Sequence, residues 1–150
     1  MTDNIVKGLT VWLARHSIGI LRVSLGLVFL AFGVLKFFPD ASPAQALVER
    51  TLDTLTFGLL SGETALLVTA FAECFIGLTL VTGKLVKAGL VVLAGSLIGI
   101  MSPLVLFFGD LFPGTPTLEA QYVFKDIVLA AAGLVIAART LGARLVPERN

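Results

Sequence analysis

Five charged residues stand inside stretches that are otherwise apolar: Arg22, Lys36, Glu73, Lys125 and Asp126. A lone charge at the centre of a membrane-crossing helix costs about 2.5–3.5 kcal/mol on insertion scales, so such residues face inward and find partners. Glu73 admits two readings. A carboxyl that gains or loses a proton within a membrane serves proton-coupled transport or quinone chemistry, whereas a carboxylate locked in an ion pair fixes the register of two helices. Arg22 and Lys36 lie 14 positions apart, close to four turns at roughly 3.6 residues per turn, and so point the same way. Gly26, Phe29 and Gly33 fall on the line between them. That face admits a neighbouring helix or a flat ligand.

Other chemistry is excluded by residue type. Cys74 is the single cysteine and His16 the single histidine, so the chain has no internal disulfide, no Cys-x-x-Cys pair and no metal cluster. Cys74 points about 100° away from Glu73 and reads as a small core residue. Redox chemistry would need a bound cofactor or a partner protein. A net charge of +1, with no basic run, gives nucleic acid nothing to bind.

The elements that must carry these charges are membrane helices. Of 150 residues 57% are hydrophobic and only 14% charged, too few charges for the surface of a soluble globule. Four segments reach the length of about 20 apolar residues that a crossing requires: 17–38, 64–82, 88–108 and 121–138. Ala44-Gln45-Ala46 has the look of a signal-peptide cleavage site, but Lys36 and Pro43 intervene, so the first apolar stretch reads as a retained helix. The expected fold is an all-α, four-helix transmembrane bundle, a single domain over 1–150. The Gly83–Lys87 stretch leaves a tight turn between the second and third crossings, which makes them antiparallel neighbours. Gly95 and Gly99 in the third crossing have the small-xxx-small spacing of a packing seam, and Ser102-Pro103 predicts a kink.

Two amphipathic segments complete the pattern, at about 4–16, with Trp12 suited to the headgroup layer, and at about 43–60. The second starts from Ser42-Pro43-Ala44-Gln45, read as a serine cap, proline at the first helical position and a capping-box glutamine. It is expected to lie along the membrane surface in the first outer loop. Seven lysines and arginines, Lys7, Arg15, Lys84, Lys87, Arg139, Arg144 and Arg149, fall on one side, and Arg50 alone on the other with Asp40, Glu49, Asp53, Glu63, Asp110 and Glu119. By the positive-inside rule both termini are cytoplasmic. At a rise of about 1.5 Å per residue, Lys36 then falls near the outer end of its helix and Lys125 and Asp126 in the outer half of theirs. Glu73 falls near mid-membrane and Arg22 toward the cytoplasm. Lys36 with Asp126 is the expected outer pair, with Glu73 reaching toward Arg22. Tyr122 and Glu119 belong at the outer rim.

The run from Arg22 to Phe29, the Phe32-Gly33-Val34-Leu35-Lys36-Phe37-Phe38-Pro39 segment, Glu73 with Ile76-Gly77-Leu78, Ser102-Pro103-Leu104-Val105 and Lys125-Asp126 together resemble the DoxX-like superfamily. They are most similar to its branch typified by the reactive chlorine resistance membrane protein RclC. That resemblance implies a four-helix bundle in a bacterial inner membrane and links to quinone-coupled oxidation, oxidant stress and membrane-protein maturation. Together with the charged cluster, it leads to the expectation of a DoxX-like accessory subunit, not an enzyme on its own, in oxidant or electrophile defence. A quinone is the expected cofactor, held between the first, second and fourth crossings, and the bilayer, a second copy or a redox protein are the expected partners. The rival classes are a small proton-coupled or anion transporter and an assembly or scaffold factor whose charges only fix helix register.

Overall fold

The computed structural model describes residues 2–38, 41–42 and 44–146, with side chains from Asn4 onward. Pro39, Asp40, Pro43 and Arg149, which the sequence reading placed in a motif, a loop charge, a helix start and a terminal charge, lie outside the described residues. The described chain is helical, without strands, and four helices are long and apolar enough to cross a membrane: Asn4–Leu35, Gly62–Thr82, Val86–Leu106 and Leu118–Thr140.

The first of these corrects the expected division at residue 17. Helix α1 runs unbroken over Thr2–Leu35, because nothing between Trp12 and Ile20 stops it. The Thr10 hydroxyl bonds back to the Val6 carbonyl, His16 Nδ1 to that of Trp12, and the His16 ring stacks on Trp12 at 5.0 Å. These 34 residues span about 50 Å, well beyond the roughly 30 Å of a hydrocarbon core. The helix stops at Leu35 instead of Phe38. The N–H groups of Lys36, Phe37 and Phe38 bond three residues back, to Gly33, Val34 and Leu35, a tightened last turn before Pro39, whose ring disfavours helical backbone in the residue ahead of it.

Helix α2 covers Gln45–Leu55, shorter than the expected 43–60. The capping box does not form: Ala44 holds the cap position without a side-chain bond, and Gln45 Nε2 donates instead to Glu49 Oε1 at 3.0 Å. Left-handed backbone at Phe57 and Gly58 ends the helix. Its apolar face does not lie free along a surface. Leu47 and Thr51 are buried, and α2 packs on α3 and α4.

Helix α3, Gly62–Thr82, turns at Gly83 into α4, Val86–Met101. Ser102 and Pro103 then carry the chain into a further turn, α5, Pro103–Leu106, where the kink was expected, and α6 follows over Phe108–Leu111. Helix α7, Leu118–Thr140, begins three residues earlier than expected because the Thr117 hydroxyl accepts the Ala120 N–H at 3.1 Å, a cap that the sequence reading missed.

The four crossings form a ring in which α1 packs against α3 and α7, and α4 against the same two. Leu25, Phe29, Ile76, Leu80, Leu93, Ala132 and Ile136 fill its centre. A second cluster, Leu47, Phe107, Leu111, Ala120 and Val123, joins α2, α5, α6 and α7 at the far end. We call that the loop end, and the end at which α7 stops the terminal end. The register of α1 on α3 matters most. Gly26 sits against Leu80 and Val81, Leu30 against Gly77, and Gly33 against Glu73 and Cys74. The last turn of α1 therefore lies level with the middle of α3, leaving the first half of α3 without α1 beside it. That space is where α2 packs.

Candidate functional site: a charged cavity at the end of the first helix

The early stop of α1 decides which charges meet. Lys36, just past its last residue, places Nζ 2.6 Å from Glu73 Oε2, and the two side chains are only 5% and 8% exposed. The free carbonyls and negative dipole end of α1 favour an ammonium there. This overturns the expected pairing of Lys36 with Asp126, and the expected depth of Lys36, which is level with Glu73. Asp126 Oδ1 instead accepts from its neighbour Lys125 at 3.3 Å. Lys125 Nζ also lies 4.5 Å from the centroid of the Phe32 ring and 4.8 Å from that of Tyr122. The two rings meet edge to face at 6.4 Å, so the ammonium is held by aromatic faces as well as by a carboxylate.

Arg22 is not part of this group. It lies toward the terminal end, where its guanidinium donates to the Leu80 carbonyl and sits against Gly83. The expected approach of Glu73 to Arg22 does not occur. Arg22 ties α1 to the last turn of α3, whose unpaired carbonyls attract a cation.

Lys36, Glu73, Lys125 and Asp126 border one cavity of about 470 Å3. Its walls are mostly apolar, with Val28, Phe29 and Phe32 from α1, Val48 and Leu52 from α2, Val92 and Ile100 from α4, and Leu129 from α7. Thr69 and Ser96 add hydroxyls. The cavity volume is within the roughly 300–1,000 Å3 of small-molecule sites, and the mixture of apolar walls with a few converging polar groups is also typical of them. The four charges sum to zero, so the cavity suits an uncharged ligand with a polar end. A carbonyl there would accept from an ammonium, and a hydroxyl would donate to a carboxylate.

The glycines expected to form packing faces separate into two kinds. At Gly26 and Gly33 a Cβ would approach backbone nitrogens of α3 to 2.9 Å, so these residues bring the helices together, with Phe29 buried between them. At Gly95 and Gly99 a Cβ would meet nothing within 4 Å, and both border the cavity. They make room rather than contact. Cys74 packs its Sγ against Gly33. The sequence reading missed Phe32, Thr69 and Ser96 as lining residues, and Gly77, where a Cβ would lie 2.7 Å from the Leu30 nitrogen.

The DoxX family profile matches residues 17–109, which is 93 of 150 residues (109 − 17 + 1). The chain belongs to the DoxX family. No curated protein and no solved structure matches it. The DoxX match contains the Lys36–Glu73 pair and the glycine seam of α1, and it stops before α7. Lys125 and Asp126 thus complete the cavity from outside the matched residues.

Proposed function

We propose that this DoxX-family membrane protein is a non-catalytic binding subunit that holds a quinone-like molecule in the cavity at the end of α1 and serves oxidant or electrophile defence. The observation that carries the proposal is the juxtaposition of the buried Lys36–Glu73 pair with a largely apolar cavity of about 470 Å3. A quinone matches on three counts. Its ring is flat and apolar, its carbonyls accept hydrogen bonds from ammonium groups, and it is uncharged, as a cavity of zero net charge requires. The resemblance of the Arg22–Pro39 run to the chlorine-resistance branch supports the stress role. Electron transfer is then the task of a partner redox protein.

The placement proposed is a bacterial inner membrane with the terminal end in the cytoplasm. Lys7, Arg15, Lys84, Lys87, Arg139 and Arg144 lie toward the terminal end, while Arg50, at the loop end, is neutralised by Asp110. This distribution follows the positive-inside rule.

Mass spectrometry of lipids and quinones bound to the full chain, purified in nanodiscs from native membrane, tests the proposal. The wild type is expected to carry quinone, and a Lys36→Ala/Glu73→Gln double variant, which leaves no lone buried charge, to lose it. Wild-type protein holding no more quinone than the double variant would overturn the proposal.

A further inference from the structure

A second, smaller cavity of about 240 Å3 opens at the terminal end, lined by Val11, Ala14, Arg15, Arg139, Arg144 and Leu145. It is built by a local device. Past the end of α7 the chain reverses through Gly142, whose φ of 112° favours a residue without Cβ. The Ala143 N–H bonds back to the Ala138 carbonyl at 3.0 Å, and Arg139 donates to the Ala143 carbonyl at 3.3 Å. The reversal returns Arg144 and Leu145 to the flank of α1, beside Arg15 and Val11. Three arginines, from two helices and a tail, thus border one crevice.

Their surroundings differ from those of Arg50. Arg50 is paired with Asp110, whereas no carboxylate among the described residues pairs with Arg15, Arg139 or Arg144, and Arg139 has only the Ala143 carbonyl as a partner. Among the described residues no acidic side chain lines the crevice. The dipole at the end of α7 supplies about half a negative charge against three positive ones. Trp12, one residue from Val11 and stacked on His16, is of the residue type enriched at the membrane–water interface.

We propose that this crevice binds the phosphate of an anionic glycerophospholipid. The planar guanidinium fork matches phosphate oxygens two at a time. Val11, Ala14 and Leu145 give the glycerol and the first acyl carbons an apolar wall, which a free anion would not use. The inference is independent of the quinone proposal, being carried by other residues at the opposite end of the bundle.

Native mass spectrometry of the detergent-solubilised full chain, titrated with phosphatidylglycerol or phosphatidylcholine, tests it. The wild type is expected to retain phosphatidylglycerol preferentially, and the Arg15→Gln/Arg139→Gln/Arg144→Gln variant to lose that preference. Arg144→Gln alone, outside every helix and so harmless to folding, should weaken retention roughly tenfold, the change expected when one charge-assisted hydrogen bond is lost. A Lys84→Gln/Lys87→Gln variant, which removes charge from the same end but not from the crevice, should retain the lipid as the wild type does. Unchanged retention in Arg144→Gln, or an equal loss in the lysine variant, overturns the site. Displacement of phosphatidylglycerol by inorganic phosphate at millimolar concentration overturns the assignment to a lipid.

Discussion

The two halves of the bundle use small residues for opposite ends. Toward the terminal end, Gly26, Gly33 and Gly77 bring α1 and α3 so close that a Cβ at any of them would lie within 2.9 Å of backbone on the other helix. Toward the loop end, Gly95 and Gly99 have no such neighbour and border a cavity. The difference comes from α1, which stops at Leu35 opposite the middle of α3. Below that level two long helices face one another, and a missing side chain lets them touch. Above it the place of α1 is taken by the shorter α2, and a missing side chain leaves space. Lys36 and Glu73 sit at the boundary. A glycine in a membrane helix thus has no fixed meaning until the reach of its neighbour is known.

The largest effect should come from breaking that boundary. Lys36→Met leaves Glu73 buried without its cation and should cost about 3–5 kcal/mol, the usual penalty of orphaning one member of a buried pair. The unfolding midpoint in detergent measures it. Lys36→Met/Glu73→Leu, with no charge left, should recover most of the loss. A double variant as unstable as the single would mean that Lys36 holds the fold through more than Glu73. Next in size is the glycine contrast itself. Gly77→Val drives new atoms into the Leu30 and Gly26 backbone and should cost about 1–3 kcal/mol by overpacking. Gly99→Val, facing open space, should stay within about 1 kcal/mol of wild type while, on the proposed reading, lowering quinone retention. If the two substitutions destabilised equally, the division into seam and cavity would fail.

What could be read from the sequence follows the same division. Apolar length marks a crossing helix whatever its neighbours do, and all four crossings were legible. Helical spacing also aligns Gly26 and Gly33 on one face of α1, the face that approaches α3. The partner of Lys36 was not legible. Pairing depends on where α1 ends relative to α3, and a shift of a few residues exchanges Asp126 for Glu73. Length and hydropathy leave that shift open, since Lys36, Phe37 and Phe38 continue an apolar run without continuing the helix. Gly95 and Gly99 were misread for a related reason. Small-xxx-small spacing tells which residues share a face, and only the position of α2 decides whether that face meets a helix or a cavity. The crevice at the terminal end required a reversal at Gly142 that brings residues 144 and 145 back to α1, a contact invisible to periodicity.

Smaller effects sharpen the comparison at the loop end. Thr117→Ala removes the hydroxyl that caps α7 and should cost about 1 kcal/mol, read as a lower unfolding midpoint. The loss should fall on the second cluster, because α7 enters it within two turns of Thr117 through Ala120 and Val123. Arg50→Ala is expected to do least to overall stability. Arg50 pairs with Asp110 at 2.7 Å, but the side chains are 55% and 64% exposed, and exposed pairs contribute about 0–1 kcal/mol. The same guanidinium stacks 3.9 Å over the Phe107 ring, so the substitution should act locally. Arg50 joins α2 to the segment around α6, while α3 keeps its contacts with α1. Hydrogen exchange should therefore quicken along α2 and remain unchanged in the half of α3 that faces α1. Equal acceleration in both would mean that α2 and the glycine seam open as one unit, and the two halves of the bundle would not be separable as their packing implies.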